Sequence, residues 1–385
     1  MNTITLTAKG LGRLRTGHPW VYRSDLRPHD GLEAGLVRLA DEKGRGLGTA
    51  LFSPHSEIRV RWLAPEGTSV DAAWWKRMIR AATERRAGIT DTGYRAVNAE
   101  ADGLPSLVVD RYGDHAVAQL LSAGLESVRD QVVDAIRDVL APQGLLLRND
   151  AQVRERERLP RETVPVYGEV PQRVPYTEGA LTLAAAPWTG QKTGAFLDQR
   201  ENRQRVGLLA RGRCLDVFCY HGGFALQMLR GGAGVVTALD SSTEALIVME
   251  ETARANRLKG VEPVEANAFD WLREAAAGRQ RYEVVVLDPP AFAKERGSVE
   301  RALAGYKELN IRAMRLLSPG GHLFTASCSY HVHRGDFFGM LGVAAADSGR
   351  HLQLLEIRGA SSDHPEMITV AETGYLKAAL LRAID

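Results

Sequence analysis

The chain has 385 residues, 44% hydrophobic and 25% charged, the proportions of ordinary globular material rather than of a disordered segment. No apolar run is long enough to span a bilayer, and residues 1–9 lack the charged-then-apolar layout of a secretory signal, so a cytoplasmic protein of two or three domains is expected. The net charge of +2 is unevenly spread: residues 1–65 carry ten Lys and Arg against six Asp and Glu, which suits an RNA-guiding module or chance alone.

Residues 1–66 read as short strands separated by turn residues, among them 3–7, 36–40, 46–52 and 58–63, the spacing of a small β-barrel. Within it, Gly17-His-Pro-Trp-Val-Tyr-Arg23 mixes aromatic, cationic and turn-forming residues. Such a mixture can engage RNA; packing in the barrel core is the competing role for Trp20 and Tyr22. Residues 67–180 read as a small α+β module. It has a helix over 72–86 with Trp75, Met78, Ile79 and Ala82 on one face, strands near 94–99, 107–110, 116–121 and 144–148, and a helix over 125–140. Dense mixed charge and prolines between Asp150 and Arg173 predict an exposed connector or protruding hairpin.

From Leu181 to residue 385 strands and helices alternate, the pattern of a mostly parallel, doubly wound sheet. Its centre is Arg213–Leu226, a buried strand running into a glycine turn, Gly222-Gly223, that opens a helix. The next strand ends in Asp240, eighteen residues after Gly222, the place from which an acid grips ribose hydroxyls. A dinucleotide fingerprint, G-x-G-x-x-G, is absent. A site for S-adenosylmethionine, with Asp216 at the strand end, a small-residue turn and Asp240, fits better. The strand–helix corner of any α/β sheet remains the plain alternative.

Further features converge on the same edge. They are Asn267-Ala268-Phe269, where Asn267 can bond an adenine amino group with Phe269 against the ring, then Asp288-Pro289-Pro290-Ala-Phe292, and Ser327-Cys328-Ser329. The two prolines remove backbone donors and stiffen the turn, leaving carbonyls and a carboxylate to face a planar base near Phe292. Cys328 suggests the reaction. Cytosine C5 is too electron-poor to attack a methyl sulfonium, but a thiolate adding to C6 makes it an enamine. Asp288 can bind and protonate the N3 edge, and His331 or His333 can act as bases if they are not surface loop residues. Cys214 and Cys219, five apart on the expected strand, should point to opposite faces, and no Cys/His spacing predicts zinc or any other metal.

Together these stretches resemble the bacterial large-subunit ribosomal RNA methyltransferase I family, cytosine-C5 methyltransferases. The likeness is carried nearly end to end by Gly17–Tyr22, Thr189-Gly-Gln-Lys-Thr-Gly-Ala-Phe-Leu-Asp-Gln-Arg-Glu-Asn-Arg203, Asp216–Ala225, Asp288–Lys294, Gly305–Asn310, Ser327-Cys-Ser329, Asp363-His-Pro365 and Gly374–Lys377. The resemblance implies a PUA domain, a central α+β domain and a class I, Rossmann-like methyltransferase domain, in a homodimer acting on 23S rRNA. It implies catalysis by Cys328 and Asp288, and a cofactor site at Asp216, Phe218, Tyr220, Gly222, Gly223, Asp240, Asn267, Ala268, Phe269 and Asp288. Pro289, Pro290, Phe292, Lys192, Phe196 and Arg200 would meet the RNA. Relatives carry a second cysteine in the Asp-Pro-Pro region where this chain has Ala291 and Phe292, which leaves the proton-abstracting base unassigned. A methyltransferase acting on another rRNA base position and a non-catalytic rRNA-binding assembly factor are the rival readings.

Overall fold

Apolar residues at alternate positions close the N-terminal segment around Ile4, Leu6, Val21, Leu39, Ala50, Phe52 and Val60. In the computed structural model, which describes residues 1–28, 31–278, 280–293 and 295–385, these strands form one sheet in the order Thr3–Thr5, Gly35–Ala40, Gly46–Phe52, Val60–Ala64, Trp20–Val21. A bridge from Leu6 to Leu26 partly closes it. The sequence reading missed a helix here, Ala8–Arg15. Gly10 and Gly12 argue against a helix on propensity. Yet a Cβ at Gly10 would sit 2.4 Å from the Asp25 carbonyl oxygen, so the glycine is what lets the helix lie against Asp25. Lys9 and Arg13 each reach that buried carboxylate at 3.1 Å. Trp20 and Tyr22 lie outside the core, both half-buried. The Trp20 indole N–H donates to Glu100 at 2.9 Å, and the Arg13 guanidinium lies 4.6 Å from the Tyr22 ring centre.

The chain divides into two compact units, residues 1–177 with 184–197 and 363–373, and residues 178–183 with 198–362 and 374–385. The first unit also holds a five-stranded sheet in the order Glu162–Gly168, Gly144–Asn149, His115–Leu120, Leu107–Tyr112, Gly93–Asn98. Trp75, Ile79 and Ala82 pack there with Val132, Ile136 and Leu140 of the second helix, which begins at Arg129 rather than Leu125. The charged stretch after Asp150 is not a connector. Glu162–Gly168 pairs antiparallel with Gly144–Asn149, and Arg154 is fully buried. Its guanidinium donates to the carbonyls of Leu120 and Pro160 and to Glu126, so the charge is absorbed by partners that composition does not reveal.

The second unit is built on seven strands: β1 Gly212–Val217, β2 Ala233–Asp240, β3 Val261–Glu265, β4 Tyr282–Leu287, β5 Leu317–Ser327, β6 Leu352–Arg358 and β7 Lys377–Ala383. Their order is β3-β2-β1-β4-β5-β7-β6, parallel except for β7, which runs antiparallel to both neighbours. The continuous buried runs 214–217 in β1, 284–287 in β4 and 321–327 in β5 reflect burial on both faces by the helices between strands. This is the doubly wound sheet expected. Cys219 lies beyond the end of β1, so the strand argument about its facing does not apply; it is buried, as Cys214 is. The helix after Asp240 ends at Ala255 rather than Leu258. Among the described residues no helix is long and apolar enough to cross a membrane.

Helices α1, Arg200–Gly207, and α2, Gly223–Gly231, cross closely. A Cβ at Gly231 would fall 1.9 Å from the Gly207 carbonyl oxygen. Gly231→Ala should therefore cost about 1–3 kcal/mol of stability by overpacking, read by urea denaturation of the full chain; an unchanged midpoint would contradict this packing.

Candidate active site

Ligands in open α/β sheets bind beyond the carboxyl ends of the strands, and five chain segments meet that edge in the second unit. After β1 the chain makes a turn in which Phe218, Tyr220 and Gly222 all have left-handed backbone, φ +65°, +49° and +76°. Two of these are bulky residues, at a cost of about 1–3 kcal/mol each. The turn is held by Cys219 N–H donating to Leu239 O at 3.0 Å, Tyr220 N–H to Asp240 Oδ2 at 2.8 Å and Gly222 N–H to Cys219 O at 2.7 Å. Gly222 caps α2 with no side chain, and a Cβ there would lie 2.2 Å from Met249 Cγ. Gly223 is next to Arg203.

Asp216, fully buried at the end of β1, accepts from Ala225 N–H through Oδ2 at 2.8 Å, while Oδ1 is buried without a partner. Burial pushes its carboxyl up to about 8; the Ala225 bond opposes this, and the charges of Asp288 and Asp240 add to it. Asp240 accepts from Tyr220 N–H and, at 3.0 Å, from Ser242 N–H, which leaves lone pairs on both oxygens for hydroxyl donors. Asn267 also has a structural job. Its Oδ1 caps the helix Ala268–Ala277, accepting from Phe269 N–H at 2.9 Å and Asp270 N–H at 3.3 Å. The remaining Nδ2 is a donor, matched to a ring nitrogen rather than an amino group. Ala268 is buried, and the half-buried Phe269 ring lies 6.0 Å from Phe292, itself 4.7 Å from Tyr306.

Beyond β4, Asp288 is half-buried and Oδ1 accepts from Gln199 Nε2 at 2.9 Å. Pro289 is buried and Pro290 exposed. Cys328 follows the last residue of β5 and is half-buried, its Sγ 3.8 Å from the Pro289 carbonyl oxygen. The flanking serines are buried: Ser329 Oγ accepts from Ala293 N–H at 3.1 Å and pairs with the Tyr306 hydroxyl at 2.9 Å, and its carbonyl accepts from Lys377 Nζ at 2.6 Å. The other two thiols are more deeply buried. Burial raises Cys214 to about 11 and pushes Cys219 higher still. His333 caps the helix Arg334–Ser348, and His331 is half-buried with its ring edge-on to Tyr330. Lys294, the last residue of the Asp-Pro-Pro stretch, lies outside the described residues. Arg200 is buried beside Glu201 at 3.3 Å; Lys192 and Phe196 belong to the first unit, the ammonium 4.9 Å from the ring centre. Gln199, Tyr306 and Lys377 were given no role by sequence reasoning. A lysine opening the apolar strand Lys377-Ala-Ala-Leu-Leu was the available signal.

Residues 167–382 match the S-adenosylmethionine-dependent methyltransferase family, and residues 4–65 match the PUA-like domain. A ribosomal RNA large subunit methyltransferase I from Aeromonas hydrophila is 37% identical over 95% of each chain. The chain belongs to the large-subunit ribosomal RNA methyltransferase I family. The protein of that name from Photobacterium profundum is 36% identical over 98% of each chain. In fold, the chain is similar to a Streptococcus mutans protein provisionally described as a SAM-dependent methyltransferase, with TM-score 0.84 and 21% identity over 99% of this chain and 100% of that one. A solved structure provisionally described as a methyltransferase, complexed with SAH, has TM-score 0.85 with the same identity and coverage.

S-adenosylmethionine is the methyl donor of this family. The residues present suit it. Asp216 Oδ1 is a buried polar atom without a partner in the chain, Asp240 has lone pairs left for a ribose, and the Gly222 turn leaves the room a side chain would fill. The buried acid also sets a pH dependence. Folded Asp216 keeps its proton to about 8, against an ordinary value of 3.8, so between those limits unfolding releases a proton and stability falls as pH rises. Asp216→Asn should remove that decline in the cofactor-free protein, measured by denaturant titration across the interval; parallel curves for the two proteins would contradict it.

Proposed function

We propose that this methyltransferase modifies C5 of a cytosine in 23S rRNA, with Cys328 attacking C6 of the base. The observation that carries the reading is the half-exposed Cys328 Sγ, 3.8 Å from the carbonyl of Pro289 in the Asp-Pro-Pro turn. A ring held by the Asp288 carboxyl would lie beside that sulfur. The substrate class draws on the relatives, which are named for ribosomal RNA of the large subunit. The PUA-like segment supports RNA as the partner. Action in the cytoplasm as a homodimer belongs to the same reading.

The chemistry follows from the residues. The Cys328 thiolate adds to C6, forming an S–C bond and moving the C5–C6 electron pair to C5. Asp288 donates a proton at N3, which neutralises the charge that spreads into the ring. S-adenosylmethionine, when bound, would supply an electrophilic methyl group to C5 and leave as the neutral thioether. Removal of the C5 proton then restores the C5–C6 double bond and expels the thiolate, and the N3 proton returns to Asp288. Phe292, packed between Phe269 and Tyr306, offers an apolar wall for the ring. Asp216 and Asp240 hold the donor at the neighbouring strand ends.

Cys328→Ser should reduce methyl transfer on the order of 10³-fold or more while leaving S-adenosylmethionine affinity intact. The assay uses 23S rRNA from cells lacking the enzyme, with bisulfite mapping of the product. Turnover by the variant near the wild-type rate would overturn the covalent mechanism.

A further inference from the structure

A chain of hydrogen-bonded side chains stands behind Asp288. Arg358, at the end of β6, donates from Nε to Asn202 Oδ1 at 2.6 Å. A guanidinium carries only donors, so the Asn202 oxygen must face it and the Asn202 amide nitrogen must point away. That nitrogen donates to the Gly359 carbonyl at 2.9 Å and to Gln199 Oε1 at 2.6 Å. With its oxygen engaged, Gln199 has only its NH2 for Asp288, and it donates to Oδ1 at 2.9 Å. Gln199 is 3% exposed and Asn202 1%, so reversing either amide would set like groups face to face away from water. The orientation of each group follows from the one before it. Asp288 Oδ1 is thereby held as an acceptor, which favours Oδ2 as the seat of a proton on the carboxyl.

We propose that the Arg358–Asn202–Gln199 relay makes Asp288 accept cytosine and reject uracil. The inference rests on the cytosine reading above and adds the device that enforces it. Cytosine offers an acceptor at N3 and a donor at its N4 amino group. A carboxyl with its proton on Oδ2 and an accepting Oδ1 complements both. Uracil offers N3–H and an accepting O4, and to match that edge the proton would have to sit on Oδ1, where the Gln199 NH2 already points. Bonding of Cys328 to C6 fixes which way the ring edge runs, so the two edge atoms cannot trade places. Asp288 touches the base; Gln199, Asn202 and Arg358 are positioning residues.

The test uses the full chain, labelled S-adenosylmethionine and large-subunit rRNA transcribed in vitro, with a second transcript in which the modified cytidine is changed to uridine. Gln199→Met should lower the cytidine rate and the cytidine-to-uridine rate ratio, each by about tenfold or more. Gln199→Glu separates polarity from packing. Its neutral carboxyl can donate to Asp288 and accept from Asn202, but two facing carboxylates cannot both ionise cheaply. Its activity should therefore be highest at acidic pH and fall as the shared proton is lost, a limb absent from the wild type. An unchanged rate ratio for Gln199→Met, or a wild-type pH profile for Gln199→Glu, overturns the relay. If the wild type yields a product other than 5-methylcytidine, the cytosine reading falls and this inference with it. If it yields 5-methylcytidine and the variants behave like wild type, only the relay falls.

Discussion

Parallel pairing of β4 with β5, with Leu287 opposite Thr325, sets the relation on which the rest of the site depends. Both strands end within three residues of that pair, so the Asp-Pro-Pro turn and Cys328 emerge side by side. The prolines make the turn stiff and leave its carbonyls outward, and one of them lies 3.8 Å from the Cys328 sulfur. A slip of one residue in that register would turn every side chain of β5 to the other face. The register is secured from the other side as well, because Ser327 pairs with Lys377 across β7 and the lysine holds the carbonyl of Ser329.

The same strand edge gathers three carboxylates, Asp216, Asp240 and Asp288, each treated differently by its surroundings. Asp216 is fully buried and holds its proton; Asp240 is half-buried and stabilised by two backbone N–H donors; Asp288 is oriented by Gln199. The charges of Asp288 and Asp240 add to the burial that keeps the proton on Asp216. The strained backbone at Phe218 and Tyr220 lies between Asp216 and the cap of α2.

Much of this was legible in the residues, and the rest was hidden for identifiable reasons. The doubly wound sheet, the Gly222 turn and the strand-end positions of Asp240, Asp288 and Cys328 follow from apolar runs that stop at polar residues, a local pattern. The helix Ala8–Arg15 was obscured because Gly10 answers to Asp25, fifteen residues away, rather than to helix propensity. Arg154 looked solvated because its partners, Leu120 and Glu126, are distant in sequence. The capping job of Asn267 was not read from the residues, since a capping oxygen and a ligand-binding oxygen look alike in a sequence. Gln199 sits in a recognisable stretch, yet its role exists only once α1, β4 and β6 are assembled.

Methylation of RNA containing 5-fluorocytidine is the most direct measurement of the central claim, because fluorine at C5 cannot leave as a proton does. The account predicts that the base, once methylated, stays bonded to the protein, and that digestion returns the nucleotide on the peptide bearing Cys328. Methylated fluorocytidine released freely, or an adduct on any other residue, would contradict it.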